Sequence, residues 1–161
     1  MRTIARAAFV AATLGIAALT PGVASADGDI ASAEKLRKLD IMLMVSSLRC
    51  RFGEDNFQPE YREFSAKHLH KLNAASREMH ADLSRRHGTK GAKRQLDKIS
   101  VGMANRYGLG HPWLGCGELK QVTRDLVQKH QSHELVAAAD ELLADSPRAN
   151  SVMLARYVAK K

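Results

Sequence analysis

Two cysteines, seven histidines and one uninterrupted run of cations are the residues of this chain best suited to chemistry. Cys50 and Cys116 are too few for a four-cysteine zinc site or a disulfide-dense scaffold. In an oxidising compartment such a pair is read first as one disulfide. Closing a loop of 66 residues predicts a stabilisation of about 4 kcal/mol from chain entropy. A disulfide would leave neither sulfur as nucleophile or metal ligand. Two buried free thiols, or one reactive thiol, are the alternatives.

The histidines invite three readings. His133-Glu134 begins the zinc-protease pattern HExxH, but Ala137 stands where the second histidine is required, so one ligand is missing. His130 and His133 are three apart and could share a metal at a helix edge, yet no third ligand is close in sequence. His68 falls between Phe64 and Leu72 on an apolar stripe. An inward histidine in a helical bundle could ligate haem or a metal, with Met42, Met44, Met79 or Met103 as a second ligand. No Cys-x-x-Cys-His is present for covalent haem attachment. The plainer reading is a core histidine bonded to a backbone carbonyl, with the methionines as packing.

No GxSxG nucleophile elbow is present. A dispersed Ser-His-Asp triad leaves no sequence trace, so a small enzyme with a scattered site stays an alternative. Glu60, Glu63 and Glu78 fall on a largely polar helix face and mark no cleft. The run of cations is the more informative feature: Arg85, Arg86, Lys90, Lys93 and Arg94, with no acid between Asp82 and Asp97. Arg85 and Arg86 suit a helix carboxyl end. Lys90 and Lys93 oppose the dipole at the amino end of the next helix. An anion held there by free backbone N–H groups would relieve that conflict. A lipid headgroup, phosphate or an acidic protein would serve. A solvated basic tip is the alternative.

The elements that must position these groups are helices. The chain has 161 residues, Lys+Arg 25 against Asp+Glu 17, and a formal charge of +8, which suits one globular domain. Aromatics are only 5%, too few for a base-stacking nucleic-acid surface, so no nucleic-acid partner is expected. Arg2 and Arg6, the apolar run Ala7–Leu19 and Ala24-Ser25-Ala26 read as a signal peptide over 1–26. The run is too short to cross a bilayer. Its removal lowers the formal charge from +8 to +6 and places the chain in the periplasm or beyond.

Five helices are expected over a domain at 30–145, followed by a tail at 146–161. The first spans Ile30–Arg51, with Leu36, Leu39, Leu43, Ser47 and Cys50 on one face. Ile41–Val45 is apolar at five successive positions, which predicts a central helix buried on several sides. The second spans Pro59–His87. It carries the stripe Phe57, Tyr61, Phe64, His68, Leu72, Ala75, Met79 and Leu83 and stops at Gly88. The third runs from an N-cap at Thr89 to Tyr107, with Leu96, Ile99 and Met103 inward. The fourth runs from the His111-Pro112-Trp113-Leu114-Gly115-Cys116 turn to His130. The fifth, capped by Ser132, spans His133–Ala144.

The block AEKLRKLDIMLMVSSLRCRF at 33–52 resembles a family of small exported bacterial helical proteins with two cysteines and no assigned role. LSRR at 83–86, MAN at 103–105 and HPWLGC at 111–116 carry the same resemblance, which covers about Ala31 to Leu143. It implies a two-cysteine helical domain behind a signal peptide and supplies no catalytic residues. Some members carry the label adenosylhomocysteinase. Nothing here supports that activity: Gly108-x-Gly110 is followed by Trp113 where a dinucleotide fingerprint needs glycine, and it follows a helix rather than a strand.

These readings converge on an all-α bundle of about five helices pinned by one disulfide. Its expected role is binding or structural, on anionic envelope components, with no cofactor, no catalysis and no transmembrane segment in the mature chain.

Overall fold

A computed structural model describes residues 26–147, with side chains from Ile30 onward. Residues 1–25 of the expected signal peptide and residues 148–161 of the expected tail lie outside the described residues. The described chain is all-α: α1 (Ala26–Arg49), α2 (Gln58–Tyr107), α3 (Cys116–Val127) and α4 (Ser132–Leu142). Cys50 and Cys116 form a disulfide with their Cα atoms 5.7 Å apart. It ties the residue after α1 to the first residue of α3.

Four helices stand where about five were expected. The two predicted over Pro59–His87 and Thr89–Tyr107 form one element whose helical geometry fails only at Gly88, with φ +68° and ψ +166°. No loop is spent on the turn, because one glycine reaches a conformation nearly closed to other residues. Thr89, expected to cap a new helix, makes no side-chain hydrogen bond within the described residues. A Cβ on Gly88 would meet nothing within 4 Å, so its backbone angles alone forbid a side chain. Gly88→Ala is therefore expected to cost about 2 kcal/mol. Urea unfolding measures this, and an unchanged midpoint would contradict it.

The segment of α2 before Gly88 runs antiparallel to α1. The Tyr61 hydroxyl donates to Asp40 at 3.1 Å, and Ala74 and Ala75 share a groove with Ser32 and Ala33. The segment after Gly88 returns along α1, where Met103 and Arg106 meet Lys35 and Lys38. The turn therefore projects toward the amino end of α1. Phe57, Phe64, His68, Leu72, Ala75, Met79 and Leu83 are all buried, and Tyr61 is half-buried. The period of the predicted stripe matches the face that packs.

The central helix is α1, which packs against each of the other three. Leu39, Met42 and Leu43 are fully buried. The five-residue apolar run is not buried all round, however: Met44 is 39% exposed and Val45 is half-buried. Three neighbours leave one side of α1 open, and Met44, Leu48 and the following Phe52 lie exposed there at four-residue steps. The other helix limits differ from expectation by at most four residues. Ser132 is the first residue of α4 rather than its cap. The Glu134 carboxylate instead accepts the N–H groups of Gln131 at 3.0 Å and His130 at 3.1 Å.

Candidate functional site

The basic tip is assembled by the chain reversal at Gly88. Arg85, Arg86, Lys90, Lys93 and Arg94 are all exposed around it. They are not equivalent. Arg85 pairs with Asp82 at 3.0 Å, and Arg86 pairs with the other oxygen of the same carboxylate. Asp82 lies one turn before the pair on the same helix face, as i,i+3 and i,i+4 spacing requires. Lys90, Lys93 and Arg94 make no ion pair within the described residues. The unneutralised charge of the tip therefore lies after Gly88.

His68 is elsewhere, in the core. It is 1% exposed, packs edge-on against Phe64, and its Nε2 lies 2.9 Å from the Leu126 carbonyl oxygen. A carbonyl only accepts, so Nε2 carries the proton. That leaves Nδ1 as the lone-pair nitrogen, buried and without a partner. Burial holds the imidazole pKa below its ordinary value, and Lys71, Lys67 and His130 push it further down. Iron or metal ligation through Nε2 would have to break the bond to Leu126. Among the described residues no cluster of three or more His, Cys, Asp or Glu side chains could hold a metal. His130 and His133 have no third ligand among the described residues.

The Leu126 carbonyl belongs to the last turn of α3 and accepts the Lys129 N–H at 3.1 Å as well as the His68 Nε2–H. No glycine follows Gly117 in the chain, so neither α3 nor α4 can end in a glycine cap. Side chains from other elements add to the backbone N–H groups that close each helix end. At α4, the His111 Nε2 donates to the Leu142 carbonyl at 2.9 Å and the Trp113 indole N–H donates to Ala144 at 3.2 Å. Arg106 donates to the Leu143 carbonyl at 3.0 Å and pairs with Asp145. His111 also packs against the rings of Tyr107 and Trp113. Its pKa is lowered by burial first and by Arg106 second, while its bond to Leu142 works the other way.

The block His111-Pro112-Trp113, read from sequence only as a turn, is thus the cap of a helix that begins some twenty residues later. The signal for it is indirect: the sole tryptophan sits beside a histidine, and α4 lacks a terminal glycine. A second polar cluster, Asp40 with Tyr61 and Arg37, bridges α1 and α2. Burial raises the Asp40 pKa, against the opposing Tyr61 hydrogen bond and Arg37 charge. Glu60, placed by sequence on a solvated face, pairs across helices with Arg124 at 2.8 Å. Glu63 is exposed.

No protein-family model matches the chain, and no curated protein or solved structure matches it. Among the described residues, no helix is long and apolar enough to cross a membrane.

Proposed function

We propose that this is an exported helical protein of the periplasm or beyond, related to the small two-cysteine exported proteins it resembles. It acts by binding or as a structural element rather than by catalysis. Its ligands are anionic components of the envelope, recognised at the basic tip. The observation that carries this reading is that Lys90, Lys93 and Arg94 stand exposed and without carboxylate partners, on the segment that follows the Gly88 reversal. Phosphate is the chemistry they share a fit with, whether on a lipid headgroup or free. The disulfide accords with an oxidising compartment.

Lys93→Glu/Arg94→Glu is expected to weaken binding to phosphatidylglycerol vesicles at least tenfold more than Lys160→Glu/Lys161→Glu, which lies outside the described residues. Both pairs change the net charge equally, so bulk charge is held constant. Exposed charges are screened beyond about 8–10 Å at physiological salt, so a local site should show in the tip pair alone. Inorganic phosphate competing with the vesicles would favour a headgroup-sized site. Equal losses from the two pairs, or no binding by the parent protein, would overturn the reading. The fold should be unchanged, because both tip positions are exposed and off the Leu96–Ile99–Met103 face.

A further inference from the structure

A groove of about 430 Å³ opens between α1, α2 and α4, away from the five tip cations. Its floor is apolar and made of small or short side chains: Ala33 and Leu36 from α1, Ala74 and Ala75 from α2, and Val136 from α4. The alanines create the space, since a larger residue at Ala74 would fill it. At the rim stand Lys71, His70 and His133, with Glu78 two helical turns from Lys71 along α2. An apolar floor with a few polar groups is the general pattern of a small-molecule site, and the volume falls in the usual range.

The cations decide what such a site would take. A second groove of about 290 Å³ lies on the opposite flank of α1, bordered by Lys35, Lys38 and Arg106. Each of those is already neutralised: Lys35 by Asp140 at 2.8 Å, Lys38 by Glu34 at 2.6 Å and Arg106 by Asp145 at 2.6 Å. Lys71 has no carboxylate partner within the described residues. It is half-buried, so its methylene stem lies on apolar surface while the ammonium stays free to meet an anion. One point charge at one end of an apolar floor suits a molecule with one anionic head and a short aliphatic body. Glu78 would repel a second anionic group placed along the groove.

We propose that the groove between α1, α2 and α4 binds a small amphiphilic carboxylate, with its head at Lys71, His70 and His133 and its aliphatic part on Ala33, Leu36, Ala74 and Val136. The test is calorimetric titration of the protein with decanoate below its micelle concentration, beside decyltrimethylammonium and acetate. Decanoate should bind, the cationic analogue at least tenfold more weakly, and acetate not measurably. Lys71→Glu should weaken decanoate about tenfold, and Ala74→Trp should abolish binding by filling the groove. Ser132→Trp, at an exposed position on the groove rim, is the second blocking variant should Ala74→Trp fail to fold. Lys93→Glu/Arg94→Glu should leave decanoate affinity unchanged, which separates this site from the tip. Absence of binding by the parent, equal binding of the cationic analogue, or full affinity in a folded blocking variant would each overturn the proposal.

Discussion

Cys116→Ser is expected to lower the unfolding free energy by about 4 kcal/mol, a large share of what a domain of this size has. The bond closes a loop of 66 residues, and the chain-entropy gain grows with the logarithm of that length. Its position adds a native-state consequence. The bond holds the carboxyl end of α1 against the amino end of α3, where Lys120 also donates to the Glu54 carbonyl at 2.9 Å. These contacts fix the connection from α1 to α2. Cys50→Ala, Cys116→Ala and the double variant should therefore all lose a similar amount, because the first substitution already removes the cross-link. Reduction of the parent protein should reproduce the loss and leave the variants unaffected. Urea unfolding measures all of these, and non-reducing peptide mapping should join the two cysteine peptides. Two titratable thiols in the native protein would refute the bridge.

The bridge was legible because only two cysteines were available to pair. The helices were legible for a different reason. The α2 stripe from Phe57 to Leu83 keeps steps of three and four over seven turns, and the buried residues follow it. Sequence marked Gly88 as a stop between two helices joined by a turn, but not that the turn takes no loop, which a single glycine at φ +68° makes possible. The apolar wheel of Ile41–Val45 placed α1 at the centre but could not say which side stays open, because hydrophobicity records what a side chain prefers and not whether a neighbour is there. Around Met44 and Leu48 there is none among the described helices.

The two candidate binding surfaces differ in the same way. The basic tip is local in sequence, so its cations could be named at once, although the capture of Arg85 and Arg86 by Asp82 needed side-chain positions. The groove is made by what three separate elements leave out, chiefly the alanines at 33, 74 and 75. An alanine within a helical stripe reads as ordinary packing. The histidine caps were hidden by distance: the acceptor of His68 is 58 residues away and that of His111 is 31 residues away. Periodicity could place His68 on the inner face but could not supply its partner.

Those caps make stability fall on acidification. Both imidazoles are neutral in the fold and both have pKa values below the ordinary 6.5. In the unfolded chain each takes up a proton near pH 6.5. Below that pH the unfolded state binds more protons than the native state, so stability rises with pH across the window. Their contribution is complete above about pH 6.5 and is lost as the pH falls toward the folded values. The slope is at most about 1.4 kcal/mol per pH unit for each histidine. For the pair, that is up to about 3 kcal/mol per unit.

Geometry gives the cause. A second proton on His68 would go to Nδ1, which is buried with no acceptor. On His111 it would go to the nitrogen that the Trp113 backbone N–H faces at 3.5 Å. The charges acting on the two rings are Lys67, Lys71 and His130 at His68, and Arg106 at His111, all of them basic groups. Asp40 and Glu134 oppose one another in sign, burial raising the first and hydrogen bonds from the Gln131 and His130 N–H groups lowering the second. Urea unfolding at pH 7.5, 6.5 and 5.5 should therefore show a falling midpoint with little change in slope against denaturant. Glutamine can still donate to the Leu126 and Leu142 carbonyls but takes up no proton. His68→Gln/His111→Gln should accordingly start less well packed and lose most of the pH dependence, and an equally steep decline in that variant would place the acid sensitivity elsewhere in the chain.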